Sequence, residues 1–122
     1  MLILVTLGTV FVGSNTVNAQ AKKVTWHRGT PKALRGNYKT KKYGADLQSI
    51  YKIYSKSTWH WYSGMPVQTG SHLYYRQTSH NHYVLKYDSH WYHGGKKGVQ
   101  ESIVKNGHAL KIKGDSHTYY KY

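Results

Sequence analysis

Val99-Gln100-Glu101-Ser102-Ile103-Val104-Lys105-Asn106-Gly107-His108-Ala109-Leu110-Lys111-Ile112-Lys113 decides the fold. Two short β-branched runs flank Asn106-Gly107. That dipeptide favours a two-residue hairpin turn, because a type I′ turn needs positive φ at both central positions. The spacing predicts antiparallel strands over 99–105 and 108–113.

The same grammar extends upstream. Leu47, Ser49, Tyr51, Ile53 and Ser55 alternate with Gln48, Ile50, Lys52, Tyr54 and Lys56, a period of two. Asn37–Lys42 reads as a strand before the turn Tyr43-Gly44-Ala45. Thr58–Tyr62 reads as another, broken by Ser63-Gly64-Met65-Pro66. His72–Thr78 and His82–Tyr87 form a hairpin around Ser79-His80-Asn81. His90–His93 ends a strand closed by Gly94-Gly95, and Thr118–Tyr122 is the last. The only helical signal is Thr30-Pro31-Lys32-Ala33-Leu34-Arg35-Gly36, one short turn with Thr30 as N-cap, Pro31 at its first position and Gly36 as terminator. The expected class is all-β: a small antiparallel barrel, or a sandwich, of seven to eight strands after one short helical turn.

Composition bounds the rest. The 122 residues carry 18 Lys and Arg against 4 Asp and Glu, a formal net charge of +14 with His neutral. Met1 to Val12 is uncharged and apolar, too short to span a bilayer comfortably, since a spanning helix wants about 20 apolar residues. Val17-Asn18-Ala19 places small or aliphatic residues where a signal peptidase reads. Residues 1–19 are expected to be a signal peptide, cut after Ala19, although no Lys or Arg precedes the apolar run. Residues 20–36 form a lead-in segment and 37–122 the β-domain. There is no Cys, so thiolate chemistry is excluded. With 13 Tyr and 4 Trp and few aliphatic residues, the core must be largely aromatic, each ring carrying a polar atom that needs a partner.

Trp26-His27-Arg28-Gly29-Thr30-Pro31-Lys32-Ala33-Leu34-Arg35-Gly36-Asn37-Tyr38 resembles the mature N-terminus of small secreted Lys- and Tyr-rich, Cys-free proteins of lactobacilli. Leu110–Gly114 and Tyr119–Tyr122 fit the same group. The resemblance implies an extracellular or cell-wall location and supplies no catalytic residue. The layout, a helical turn and then Gly-X-aromatic opening a strand, also resembles the start of lipocalin-like barrels, with Tyr38 where the usual residue is Trp.

Catalytic patterns are weak. Paired-carboxylate hydrolysis needs two acids at a set separation. Asp46, Asp88 and Asp115 sit in turn-like or strand-opening contexts, and Glu101 reads as a partner for a Lys. No Gly-X-Ser-X-Gly elbow or Gly-rich phosphate loop is present. His80 with His82, and His90 with His93, are close pairs, but a structural zinc site wants four ligands. We expect no enzyme, no cofactor and no resident metal.

What remains is cations interleaved with aromatics. Lys and Arg take phosphates or carboxylates, and aromatic faces stack on sugars. The expected function is a secreted monomeric binding module for anionic cell-wall polymers or host glycans. No specific nucleic-acid motif and no stable membrane insertion are expected. The alternatives are a lipocalin-like carrier of a small apolar ligand and a membrane-active antimicrobial. His60-Trp61-Tyr62-Ser63-Gly64 recurs as His90-Trp91-Tyr92-His93-Gly94. A core short of Leu and Ile predicts Trp61 and Trp91 inward, which leaves His60, Tyr62, His90 and Tyr92 outside. With Lys22, Lys23, Arg28, Lys32, Arg35, Lys96 and Lys97 these make the predicted polymer-binding set.

Overall fold

Nine strands are present in the computed structural model, which describes residues 24–122. They are β1 (His27–Arg28), β2 (Gly36–Thr40), β3 (Ser49–Ile53), β4 (Thr58–Tyr62), β5 (Gln68–Ser79), β6 (His82–Trp91), β7 (Gly94–Asn106), β8 (Ala109–Ile112) and β9 (Thr118–Lys121). Each strand from β2 to β9 pairs antiparallel with the next. β2 pairs with β9, and the ring closes. The result is an eight-stranded up-and-down barrel. The two-residue β1 lies against the outer half of β5, His27 opposite Tyr75. The expected signal peptide, with Lys22 and Lys23, lies outside the described residues.

The alternation seen in sequence becomes the barrel wall. Ser49, Tyr51 and Ile53 are buried while Ile50 and Lys52 are half-covered on the other side. Tyr38, Tyr51, Tyr87 and Tyr119 fill the interior with Leu34, Ile53, Leu73, Leu85, Ile103, Leu110 and Ile112. Burying an aromatic ring removes roughly 150–250 Å² from water, so four tyrosines supply much of what the missing leucines would.

The helical turn is a single 3-10 turn, Lys32–Leu34. Leu34 is fully buried and its carbonyl accepts the Tyr38 phenol at 2.8 Å. Thr30 does not cap it. Its hydroxyl instead donates to the Tyr54 carbonyl at 2.6 Å, which ties the lead-in segment to the β3–β4 loop. The competing partner wins because Thr30 is itself buried and the loop carbonyl would otherwise lack a donor.

Two turns differ from expectation. Asn106 remains in the ladder, opposite Ala109, so the turn is Gly107-His108. Positive φ falls on Gly107 (+60°) and not on Asn106. Gly94-Gly95 does not close a strand but opens β7, pairing with Trp91 and His90. A Cβ on Gly95 would stand 2.5 Å from the Ser89 carbonyl oxygen, the close backbone approach that a strand glycine permits. Among the described residues no helix is long and apolar enough to cross a membrane.

Candidate functional site

β4, β3, β2 and β9 lie side by side. Because Thr58 and His60 point inward, Trp59 and Trp61 point outward. Across the wall the register sets Lys52 beside Trp59, Ile50 beside Trp61, Lys39 beside Ile50, and Lys39 beside Tyr120. The ammoniums sit over the rings. Lys52 Nζ is 4.8 Å from the Trp59 centroid, Lys39 Nζ 4.6 Å from Tyr122, and Lys41 Nζ 5.6 Å from Tyr120. Such contacts hold the cations in place at roughly 0.5–1 kcal/mol each when exposed. Their charge still faces solvent. Trp26 repeats the arrangement elsewhere on the wall, between Arg76 and Lys86.

Asp88, Glu101 and Asp115 are engaged away from this face. Asp46 lies in the β2–β3 loop. Asp88 on β6 accepts from Gly98 N–H at 3.0 Å and meets His72 Nδ1 at 2.9 Å, contacts that hold its carboxyl below the usual range, Gly98 most. Glu101 and Asp115 turn into the barrel. Among the described residues the one carboxylate contact to a basic side chain within 4 Å is that of His72 Nδ1 with Asp88, so no described Lys or Arg is neutralised by a carboxylate at that distance.

The interior holds a polar cluster. Tyr51 and Tyr87 donate to the two Glu101 oxygens at 2.5 and 3.3 Å. Tyr119 donates to Asp115 at 2.7 Å, and Tyr62 reaches the same oxygen at 3.5 Å. With its proton committed to Asp115, the Tyr119 oxygen accepts from His60 Nε2 at 2.8 Å. The His60 ring stacks on Tyr51, 4.3 Å between centroids. Burial pushes the His60 pKa down to about 4 and raises that of Glu101, whose phenol donors pull the other way. Burial likewise lifts Tyr62 to about 12 and Tyr51 well above the usual phenol range. The carboxylates and the imidazole each hydrogen-bond to phenols of the interior. The cluster therefore ties the aromatic core together through its phenol hydroxyls.

The predicted site residues separate into groups. Arg28 and Lys32 are exposed on β1 and the 3-10 turn. Arg35 is half-buried, and its guanidinium donates to Thr30 Oγ1 at 3.2 Å and Thr30 O at 2.8 Å. His90, Tyr92, Lys96 and Lys97 do come together, at the β6–β7 hairpin. There Tyr92 is 83% exposed, and His90 bonds Ser71 Oγ at 2.9 Å. His60 and Tyr62 do not join them. His60 is 5% exposed and Tyr62 faces the interior carboxylates, so the inward and outward faces of β4 are the reverse of the expectation. Trp91, expected inward, is 39% exposed. On β4 the outward indoles are partly covered, Trp59 by the Lys52 ammonium and Trp61 by its cross-strand neighbour Ile50, whereas the inward His60 finds both a stacking partner and an acceptor.

Sequence reasoning missed Lys39, Lys41, Lys52, Trp59, Tyr120 and Tyr122 as a set. The signal was present in Lys39-X-Lys41 and Tyr120-X-Tyr122, which put like residues on one face at period two. It also missed the meeting of Glu101 and Asp115, which follows from the β7–β8 register, with Ile103 opposite Ile112 and Lys113 N–H bonded to the Ser102 carbonyl. His80 and His82 face no common ligand position, since His82 Nδ1 bonds the His80 carbonyl at 2.8 Å. Comparison with protein-family models, curated proteins and solved structures finds nothing that matches this chain.

Proposed function

We propose that this protein is a secreted, non-enzymatic binding module for anionic cell-envelope or mucosal polymers. The observation that carries the reading is the outer wall of β4, β3, β2 and β9, strands without a single Asp or Glu, where Lys39, Lys41 and Lys52 interleave with Trp59, Trp61, Tyr120 and Tyr122. Fixed lysines take phosphates or carboxylates along a polymer, and the rings between them take sugar faces. The exposed hairpin of His90, Tyr92, Lys96 and Lys97 extends the same chemistry. The core cluster of tyrosines and aliphatic residues favours the wall over the inside as the contact surface, although a cleft of about 630 Å³ opens against Val84, Ile103 and Ile112.

Cosedimentation with purified cell walls, with and without their teichoic acid, tests this. Binding should need the anionic polymer and fade between 0.1 and 1 M salt, as the screening length falls from about 10 to about 3 Å. The double variant Lys39→Ser/Lys52→Ser should bind at least tenfold more weakly, with stability changed by only about 0.5 kcal/mol per site. Full binding at molar salt, or an unaffected double variant, would overturn the reading.

A further inference from the structure

A groove of about 400 Å³ opens beside the lead-in segment, lined by Arg28, Arg35, Lys56 and His72 with Gly29 and Ser55 among them. It lies off the β4–β3–β2–β9 wall, between β1, the β3–β4 loop and β5. Its floor is built by backbone. Gly29 N–H donates to the Leu73 carbonyl at 2.7 Å, and Thr30 N–H to the Ser55 carbonyl at 3.0 Å. Only glycine fits at 29: φ is +84°, and a Cβ would stand 2.8 Å from Ser55 O. The knot thus fixes the spacing between the arginines and the Lys56 loop.

Two features indicate that the groove is shaped for an anion. Arg35 commits Nε and one Nη2 hydrogen to Thr30, so its plane is set while Nη1 bonds no described protein atom. A guanidinium held in this way presents donors at fixed angles, the arrangement that suits a planar or tetrahedral oxyanion. His72 sits at φ +52°, in the left-handed region that non-glycine residues rarely adopt. It occupies the irregularity in β5 between Ser71 and Tyr74, and bulges of this kind re-aim side chains beside sites. Asp88 holds the ring from the side. Among the described residues no carboxylate lines the groove.

We infer that this groove binds a phosphate group, with Arg35 as the oriented donor and Arg28, Lys56 and His72 closing around it. The inference deepens the polyanion reading and rests on it for the natural source of the phosphate, either a chain-end phosphomonoester or a phosphodiester within a polymer.

The test is a ¹H–¹⁵N titration of the protein with inorganic phosphate, with dimethyl phosphate and with acetate, each at constant ionic strength. Saturable shifts confined to Gly29, Arg35, Ser55 and His72 are expected with phosphate. Saturation by dimethyl phosphate as well assigns the diester, and its failure assigns the monoester. Arg28→Gln/Lys56→Gln, which removes two exposed side chains and leaves the Thr30–Arg35 knot intact, should weaken phosphate at least fivefold. Shifts spread over all exposed amides, an acetate affinity equal to that of phosphate, or an unchanged double variant would each overturn the assignment. If the groove fails while wall sedimentation persists, only this inference falls. If sedimentation fails while the groove saturates, the polymer reading falls instead.

Discussion

Single residues in this barrel are chosen by what stands beside them on the inner face of the neighbouring strands. Gly70 pairs with Thr58, and an added Cβ would collide with Thr58 Oγ1 and lie 2.9 Å from the Tyr87 ring. Gly70→Ala should therefore destabilise by about 1–3 kcal/mol, as overpacking does, measured by urea unfolding. An unchanged midpoint would show that Tyr87 shifts freely. Trp61 gives the opposite expectation. A buried Trp→Ala change costs about 3–5 kcal/mol, but the half-exposed outward Trp61 should lose well under that in thermal melts. Volume alone does not say which of His60 and Trp61 faces inward. The deciding contacts, Tyr51 and Tyr119 around His60, come from β3 and β9, and no local pattern reveals them.

At the level of elements, strands and hairpins were largely legible in the chain. Thr58–Tyr62 is β4 to the residue, because Ser57 and Ser63 bound an uninterrupted aromatic run. The β5–β6 hairpin turns at His80-Asn81, with Asn81 at φ +64°, inside the expected Ser79–Asn81. The Asn106-Gly107 hairpin exists, but its turn is one residue later, since Asn106 keeps its place opposite Ala109. Register depends on which side chains meet the core, here Ile103 with Ile112, and the turn dipeptide yields to it. A Cβ at position 107 would meet only open space, so the cost of replacing Gly107 is conformational alone. Gly107→Asn should be nearly neutral, and Gly107→Val should cost about 1–2 kcal/mol. Equal losses in chemical denaturation would mean that space, not φ, is limiting.

The whole molecule joins a cationic exterior to an interior that titrates against it. Folding moves the His60 pKa from an ordinary 6.5 to about 4. Above pH 6.5 neither state holds that proton. As pH falls towards 4 the unfolded chain binds it first, so stability drops, by about 3 kcal/mol at 1.36 kcal/mol per pKa unit. Glu101 has the opposite sign, because folding raises its pKa and acid then favours the folded form. His60→Gln separates the two. Between pH 6.5 and 4 the wild type should lose stability relative to this variant in denaturant titrations, and parallel pH profiles would refute the assignment. The seam between β2 and β9 has a kinetic consequence. Tyr38 stands opposite Lys121, so the ring closes only when β9 reaches back past the six intervening strands to β2. Long-range pairing of this kind slows folding. Until β9 docks, β2 and β8 stand as open edges, so the half-built barrel is a template for pairing with another chain until the seam shuts.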